Sequence, residues 1–489
     1  MNKRPNPWAA MGALCIGLFV ILLDSTIVNM AIPAMMTGLH ASLNQVVWVN
    51  SVYLLTFAVP LLLTGRLGDR LGRKPMFMVG LAVFTASSLW CALSGNAEML
   101  IAARAVQGLG AAMMNPQTMA FITSLFPPEK RGAAMGVWGS VAGLATVAGP
   151  LLGGLLVGSL GWQWIFVVNV PIGVAGLILA AFLVPGDQVR TRHRFDLLGT
   201  ALSGLGLLAL VFGLQNGQQY HWGRVLGPIT IVELIVLGAL LLVGFVYWQR
   251  RNEDEPLVPL SLFKFRNFAT SNVANIMIGF ALTGMFLPLV IYLQSVLGLS
   301  PLASGVVTAP MSLLSGIVAP FAGRLINRLG GKYIAMTGFL ALTAGLAVVV
   351  AVMRWHSSPW VLLPGLLIAG FGIGCVFSPL AALATSEVPM PRIGAASGIF
   401  NTARQVGGVL GSAAVGVLLQ ARLAVSLKAE AGHTGAGTVF QLGFTDAARD
   451  TLLLPAVVLF VGALACVPML RVVHRSVPKP VETPTPEPV

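Results

Sequence analysis

Charged residues are scarce in this chain. Asp, Glu, Lys and Arg make up only 9% of the 489 residues, whereas an ordinary globular domain has about 25%. The mean hydropathy is +0.86, and 56% of the residues are hydrophobic. A chain of this composition cannot cover a water-soluble surface with charge, so it is predicted to be an integral membrane protein.

Several kinds of site are missing as well. The four cysteines lie apart in apolar runs without a CxxC pair, which indicates neither a disulfide framework nor a zinc site. The chain has no Walker A sequence and no HExxH, and its six histidines lie outside the apolar runs. We therefore expect no metal, no cofactor and no enzyme activity, and neither a rotor, a channel nor an ATP-driven pump.

The apolar runs are long enough to cross a bilayer many times. A spanning helix needs about 20 mostly apolar residues. On this basis fourteen spans are predicted, at about residues 9–32, 46–64, 76–94, 99–122, 133–157, 164–184, 197–214, 228–248, 269–293, 302–322, 334–353, 360–384, 397–421 and 450–470.

Lys and Arg are distributed unevenly between the two sides. If the N-terminus is cytoplasmic, 22 of the 29 fall in cytoplasmic segments, five fall outside, and Arg104 and Arg404 lie within spans. This asymmetry predicts an even number of spans with both termini cytoplasmic. The net charge of +13 is then explained by the excess of Lys and Arg in cytoplasmic segments. The expected partner is therefore the bilayer and not a nucleic acid. The longest outer connection is predicted at about 422–449.

An internal repeat divides the chain. GRLGDRLGRKPM at 65–76 returns as GRLINRLGGKYI at 323–334, with seven of twelve residues identical. Two parallel six-span halves with a site between them are typical of a transporter. The predicted divisions are a cytoplasmic N-terminus (1–8), an N-terminal half (9–184), an inserted helix pair with its flanking loops (185–268), a C-terminal half (269–471) and a disordered cytoplasmic tail (472–489).

Asp24 is the only acidic residue deep in a predicted span. At the centre of a spanning helix an Asp costs about 2.5–3.5 kcal/mol. We expect it to bind and release a proton as its surroundings dry and wet. The alternative is a structural Asp that is hydrogen-bonded to Ser25, to Asn29 or to a neighbouring helix.

Arg104 is the second embedded charge. Its predicted depth differs from that of Asp24 by only about 5 Å, so the two side chains could pair, and movement of Arg104 would then change the proton affinity of Asp24. The alternative is an Arg that extends its side chain to the outer interface. Arg404, near the cytoplasmic end of its span, has the same alternative.

Four motifs in order resemble those of one family. They are LDSTIVNMAIP (23–33), GRLGDRLGRKP (65–75), LIAARAVQGLGAA (100–112) and GSVAGLATVAGPLLGG (139–154). With each in the expected span or loop, the chain resembles the major facilitator superfamily, and within it the fourteen-span drug:proton antiporters related to the quaternary-ammonium efflux pumps. The resemblance covers nearly the whole chain and implies an all-α fold with two inserted helices.

The resemblance also implies roles for individual residues. Asp24 and Arg104 would couple transport to protons. The loop residues Gly65, Asp69, Arg70 and Arg73 would gate, with Asp69 and Arg73 latching the two halves; the alternative for the arginines is the positive-inside rule alone. The antiporter motif would seal the cavity against proton leak, and its residues are Gly139, Gly143, Gly149, Pro150, Gly153 and Gly154. Independently of the resemblance, these glycines permit close helix contact and Pro150 favours a kink.

Polar and aromatic residues within the spans are candidates for the wall of a substrate cavity. They are Asp24, Asn29, Trp48, Asn115, Trp138, Asn272, Asn275 and Asn401, with Phe121 and Phe286 as further aromatic candidates. The alternative for each aromatic is packing or contact with lipid.

The function predicted is that of a proton-coupled antiporter in the bacterial cytoplasmic (inner) membrane. It would export lipophilic, often cationic small molecules by alternating access, with protons as the second substrate. The alternative is a proton-coupled exporter of one metabolite, such as an amino acid, a siderophore or a self-made antibiotic. An outer-membrane efflux partner stays open, since no residue pattern indicates one.

Overall fold

The structure is a computed structural model that describes residues 6–186, 196–217, 219–226, 229–252, 256–389, 392–430 and 436–470. The predicted tail at 472–489 and part of the predicted N-terminal segment at 1–8 lie outside these ranges. The helices within them are α1 (Pro7–Gly38), α2 (Leu43–Ala58), α3 (Leu61–Leu71), α4 (Arg73–Ala92), α5 (Ala97–Leu125), α6 (Pro128–Ser159), α7 (Trp164–Val167), α8 (Asn169–Leu183), α9 (Leu197–Asn216), α10 (Ile231–Arg251), α11 (Arg266–Ile291), α12 (Pro301–Leu329), α13 (Gly331–Val352), α14 (Leu363–Ser386), α15 (Ile393–Glu430) and α16 (Ala436–Cys466).

Eleven helical segments in the described ranges are long and apolar enough to cross a membrane, or twelve if α2 and α3 form one span bent by 45°. The prediction of a helical protein with many spans is confirmed at this level. The described ranges also contain a small antiparallel hairpin of β1 (Arg224–Leu226) and β2 (Ile229–Thr230), which the sequence reading did not predict.

The bend between α2 and α3 has a local cause. The sequence predicts one span at 46–64, but the helix stops at Ala58 and begins again at Leu61. Pro60 lies in this break, and proline has no N–H to donate to the carbonyl four residues earlier. The α3 segment, which holds the GRLGDR sequence, therefore leaves the direction of α2.

The internal repeat is visible in the backbone. Gly72 separates α3 from α4 with φ of 110°, and Gly330, 258 residues later, separates α12 from α13 with φ of 87°. Such φ values favour glycine. The packing repeats as well: α4 on α5 matches α13 on α14, and α1 on α6 matches α11 on α15. Contacts between the two sets of helices are made chiefly by α6 with α12 and by α2 with α15.

The helices α9 and α10 form an antiparallel pair. A Cβ at Gly206 would lie 3.1 Å from the carbonyl of Gly238, and one at Gly213 would lie 2.5 Å from Ile235. The pair packs on α2 and α15 through α9. Gln215 donates to the Ser51 hydroxyl, and Ser51 shares a 2.8 Å hydrogen bond with Ser412. One buried polar contact thus joins α9, α2 and α15.

The opposite end of this pair is fastened by Asp196, which precedes α9. Its carboxylate accepts hydrogen bonds from Trp248 Nε1 at 2.8 Å, Gln249 Nε2 at 2.6 Å and the N–H groups of Gly199 and Leu257 at 2.8 and 3.3 Å. Burial raises the pKa of Asp196, but these four donors outweigh burial and hold the pKa below its ordinary value. The carboxylate therefore ties both helices to the segment that follows them.

Most of the connection predicted at 422–449 is helical, so the prediction is wrong over most of this range. Helix α15 continues to Glu430 and α16 begins at Ala436. The residues concerned, ARLAVSLKAE and FTDAARD, are good helix formers by intrinsic propensity. Arg422 and Asp450 lie 3.4 Å apart across the two extensions.

We expect Asp196→Ala to destabilise the α9–α10 pair by about 1–3 kcal/mol at neutral pH, because several buried donors lose their acceptor. Since the folded-state pKa of Asp196 is lowered, its stabilisation is complete above about pH 4 and is lost as pH falls through the folded value. The melting temperature of the purified protein should separate the variant from wild type at pH 7 and bring them together in acid.

Asp446→Ala is the matched control, since Asp446 is half-exposed and lies 3.8 Å from Arg449. It should leave the melting temperature nearly unchanged at every pH. Equal melting temperatures for Asp196→Ala and wild type at pH 7 would contradict the fastening role.

Candidate functional site

The centre of the candidate site is an ion pair between α1 and α5. Arg104 Nη1 lies 2.5 Å from Asp24 Oδ2, and both side chains are fully buried. The pairing that the predicted depths allowed is therefore present, and Arg104 does not extend to an interface. In a medium without water each charge needs the other, because a lone buried charge is costly.

Two amides complete the shell of Asp24. Gln107 Nε2 and Asn169 Nδ2 each donate to Asp24 Oδ1 at 3.1 Å. The same two nitrogens lie 3.2 Å from the Ser88 hydroxyl, which itself donates to the carbonyl of Phe166 at 3.0 Å. Asp24 accepts from three donors, a pattern that suits an ionised carboxylate.

The guanidinium of Arg104 is held on its other sides by α2 and by aromatic rings. Nε donates to the carbonyl of Val49 at 3.3 Å, and Nη1 also donates to Gln107 Oε1 at 2.8 Å. The ring of Tyr53 lies 4.0 Å from the guanidinium carbon, and that of Phe166 lies at 5.7 Å. Nη2 has no hydrogen-bond partner among the described residues, so the shell is incomplete on one side.

The sequence reading missed four members of this shell. Gln107 is three residues after Arg104 and so lies on the same helix face. Asn169 stands alone in the apolar run FVVNVPIG, as Asp24 does in its own run. These two signals were present in the sequence. Ser88 and Tyr53 carried none, because a serine or tyrosine in a span is ordinary.

Asn29 lies one turn beyond the ion pair, at a small gap between the halves. Its Nδ2 approaches the carbonyls of Ser25 at 3.3 Å and Thr26 at 3.4 Å. The centre of a water molecule can occupy a volume of about 10 Å³ in this gap. The gap therefore has room for about one water. Its other polar lining residues are Asn50, Thr283 and Ser412.

The remaining N-terminal candidates do not converge on that gap. Trp48 Nε1 donates to Asn216 at 3.4 Å and its ring packs against Phe212. Trp138 is half-buried with no hydrogen-bond partner for Nε1 among the described residues, and Asn115 is half-buried in α5. Of the aromatic candidates, Phe121 is fully buried in the helical core and Phe286 is partly buried.

The C-terminal candidates lie along α11 and α15. Asn272 Nδ2 donates to the carbonyl of Phe268 at 2.8 Å, Asn275 Nδ2 to that of Phe400 at 2.6 Å, and Asn401 Nδ2 to that of Ser397 at 3.1 Å. The oxygens of Asn272 and Asn275 have no partner among the described residues. Asn275 thus joins α11 to α15 and keeps one acceptor free.

The Asp69–Arg73 pair of the loop motif forms its contacts within the N-terminal helices, whereas Arg66 donates to the carbonyl of Pro256, after α10. Arg73 lies 2.8 Å from Asp69, four residues earlier, and Nη1 donates to the carbonyl of Ala120 at 3.2 Å. Gly65 faces Pro116, and Arg70 lies in the last turn of α3. The latch between halves that the resemblance implies is not among these contacts and stays a prediction.

The glycines of the antiporter motif lie on α6, which contains Gly139, and most of them face other helices. A Cβ at Gly149 would clash with Thr26, and one at Gly153 would lie 2.9 Å from Ile27, so both face α1. A Cβ at Gly154 would lie 2.5 Å from the carbonyl of Pro301 on α12. Pro150 lies at the same contact, since its carbonyl is 2.5 Å from a Cβ placed on Gly305.

The contact between α6 and α12 loosens along its length. At Gly143 the nearest atom to an added Cβ is the Cα of Gly316, 4.0 Å away, compared with 2.5 Å at Gly154. The two helices therefore touch backbone to backbone at Gly154 and are in looser van der Waals contact at Gly143. The sequence predicts close helix contact at these glycines. The structure shows that the contact is with α12 and that it is tighter at Gly154 than at Gly143.

Gly154→Ala should lower the melting temperature, because the added methyl group forces α6 away from α12 at a cost of about 1–3 kcal/mol. Gly158→Ala is the control on the same helix, since a Cβ there meets nothing within 4 Å. The control should match wild type or gain up to about 1 kcal/mol from helix propensity. Equal melting temperatures for the two variants would refute the close contact.

The sequence matches the family model of the Major Facilitator Superfamily over residues 14–412. The chain belongs to this superfamily, and the first part of the predicted resemblance is confirmed. It is a multi-pass protein of the bacterial cytoplasmic membrane.

Two relatives extend the match. An uncharacterized MFS-type transporter of Mycobacterium tuberculosis is 44% identical over 97% of this chain and 83% of that protein. The tetracenomycin C resistance and export protein of Streptomyces glaucescens is 34% identical over 86% of this chain and 77% of that protein.

The fold has solved counterparts. A bacterial homolog of the human lysosomal transporter Spinster, crystallised in an inward-facing and unoccupied conformation, superposes with a TM-score of 0.67. The match covers 96% of this chain and 98% of that one at 15% identity. At this identity the likeness shows the fold alone.

Proposed function

We propose that the protein is a proton-coupled antiporter that exports lipophilic drugs from the cytoplasm, of the fourteen-span type related to the quaternary-ammonium pumps. The observation that carries the proposal is the fully buried pair of Asp24 and Arg104. Ionisable groups inside a membrane protein are costly and commonly mark ion pathways. Drug efflux is supported by the relative named for the resistance to and export of tetracenomycin C.

The span count of fourteen is part of this proposal. Besides the eleven or twelve apolar helices, α5 has 29 residues and α6 has 32, enough at 1.5 Å per residue to cross about 30 Å. Their repeat counterparts α14 and α15 pass as spans. Six helices in each half, with α9 and α10 between them, would give an even number of spans, and the Lys and Arg bias then supports cytoplasmic termini.

The three hydrogen-bond donors around Asp24 determine how a proton can bind to its carboxylate. All three point at the carboxylate and fill three of its about four acceptor sites, so a proton on Asp24 competes with them. Protonation removes the charge that attracts Arg104, and the guanidinium keeps Val49, Gln107 Oε1 and the rings of Tyr53 and Phe166 as partners. Proton binding therefore favours a different placement of α5 against α1. Coupling arises if that placement belongs to the opposite-facing state.

The helix pair α6 and α12 is suited to closing the outer side. With a cytoplasmic N-terminus, the end of α6 that holds Gly154 is the outer one, and there the two backbones touch. Toward Gly143 the contact is looser, so opening at the cytoplasmic end would leave the tight outer contact in place. In this arrangement a compound enters from the cytoplasm, as export requires.

A second candidate is an exporter dedicated to one self-made antibiotic. It is favoured by the same relative, which is named for a single compound. The two candidates share the proton site and differ only in how many unrelated compounds the protein moves.

Transport of ethidium into inside-out vesicles under a pH gradient tests the proposal. Wild type should move the dye, and Asp24→Asn should reduce gradient-driven movement at least about tenfold. Because Asp24→Asn leaves Arg104 unpaired, it should also cost about 3–5 kcal/mol of stability. The double variant Asp24→Asn/Arg104→Gln removes both charges, so it should fold better than the single variant and still fail to couple.

Asp446→Asn, at a half-exposed residue within α16, is the transport control and should behave as wild type. Gradient-driven movement by the folded double variant would show that Asp24 is structural. If wild type moves one antibiotic and neither ethidium nor unrelated drugs, the dedicated exporter is the better description.

A further inference from the structure

The two arginines that lie within predicted spans, Arg104 and Arg404, differ in their compensation. Arg104 has a carboxylate, an amide and a carbonyl around it. Arg404 has no hydrogen bond or ion pair to any residue in the described ranges, and its one aromatic contact there is the ring of Phe377, 5.6 Å from the guanidinium carbon. A charge at this depth without a counter-charge calls for an external partner.

The guanidinium of Arg404 lies beside the ring of Phe377, which α14 holds next to α15. Arg404 is eleven residues into α15, about 16 Å from its first residue, and Phe377 is nine residues before the end of α14, about 14 Å from it. These two ends are adjacent in the chain, so the ring and the arginine lie at the same level. An arginine that reached for the interface would leave that level.

The carboxylates on neighbouring helices are already engaged. Glu387, after α14, accepts from the N–H of Asn267 at 2.8 Å. Asp450 on α16 pairs with Arg422 beyond the far end of the span, and Asp69 on α3 pairs with Arg73. Asp196, beside α9, is saturated by four donors. Within the described ranges, the uncompensated charge at this depth is positive.

The backbone around Arg404 keeps its position fixed. A Cβ on Gly279 of α11 would clash with the carbonyl of Arg404, so the two helices touch at this turn. Arg404 is partly accessible, as are Asn401 one turn before it and Phe377 across from it. A cation, an aromatic ring and an amide, each partly accessible, therefore lie close together on α14 and α15 of the C-terminal half.

We infer that Arg404 and Phe377 form a subsite for the acidic group of an aromatic compound, a carboxylate or phenolate attached to a ring. The planar guanidinium donates to the ionised oxygen in the geometry that carboxylates accept, and the attached ring packs against Phe377. The inference rests on the proposed export function and adds to it a substrate class. Within the described ranges, Asp24 is compensated by Arg104 and so does not offer a free carboxylate to a lipophilic cation.

Two xanthene dyes of similar size and opposite charge test this subsite. Binding of fluorescein, an anion, and of rhodamine 123, a cation, is measured by fluorescence polarisation on full-length protein in lipid nanodiscs. Arg404→Met should weaken fluorescein binding at least about tenfold, equivalent to about 1.4 kcal/mol, and change rhodamine 123 binding less than about twofold. Arg404→Lys, which keeps the charge but loses the planar fork, should be intermediate.

Arg324→Met is the matched control, because Arg324 also lies over a phenylalanine, Phe321 at 6.0 Å, but is exposed on α12. It should leave both dyes unaffected. The inference is overturned if wild type binds no fluorescein, or if Arg404→Met weakens both dyes equally or neither. Should Arg404→Met prove unfolded by its melting curve, Arg404→Lys decides by the same comparison.

The outcomes separate this subsite from the proton mechanism. Asp24-dependent export of ethidium together with unaltered fluorescein binding by Arg404→Met would refute the subsite and leave the exporter standing. Arg404-dependent fluorescein binding without Asp24-dependent export would refute the exporter and leave the subsite.

Discussion

A charge inside a bilayer has no water to stabilise it, and this constraint orders the N-terminal half. Asp24 must find a cation and Arg104 an anion, so α1 and α5 are held in the one register that brings them together. Asn169 and Ser88 extend the same requirement to α8 and α4. The polar shell thus specifies how four helices meet, where apolar packing alone would tolerate several arrangements.

The two contacts between the halves use different chemistry. Between α6 and α12, glycines bring backbones together without interlocking side chains, so the helices can tilt against each other. Between α2 and α15, the hydroxyls of Ser51 and Ser412 share a hydrogen bond that Gln215 of α9 joins. Motion that opens the first contact must either keep or replace this second one, and the hydroxyls can find other partners at little cost.

The sequence predicted the helical membrane fold, the repeat at Gly72 and Gly330, and the approach of Asp24 to Arg104, because hydropathy, identity and charge are local or pairwise signals. It could not predict the extension of α15 to Glu430, since a Gly- and Thr-rich segment hides the helical residues beside it. Nor could it place Trp48 against Asn216, or predict that Arg404 has no hydrogen bond or ion pair within the described ranges. These contacts depend on which helix faces which, and the spacing of residues along the sequence does not contain that information.

The antiparallel α9–α10 pair has a consequence for how such a chain can grow. A hairpin leaves and re-enters on the same side of a membrane, so its addition between two halves leaves the orientation of the second half unchanged, whereas a single added helix would invert it. Asp196 ties the two ends of the hairpin to one segment, so the addition closes on itself. Two extra helices are therefore tolerated because their number is even, and this condition does not depend on any contact with substrate.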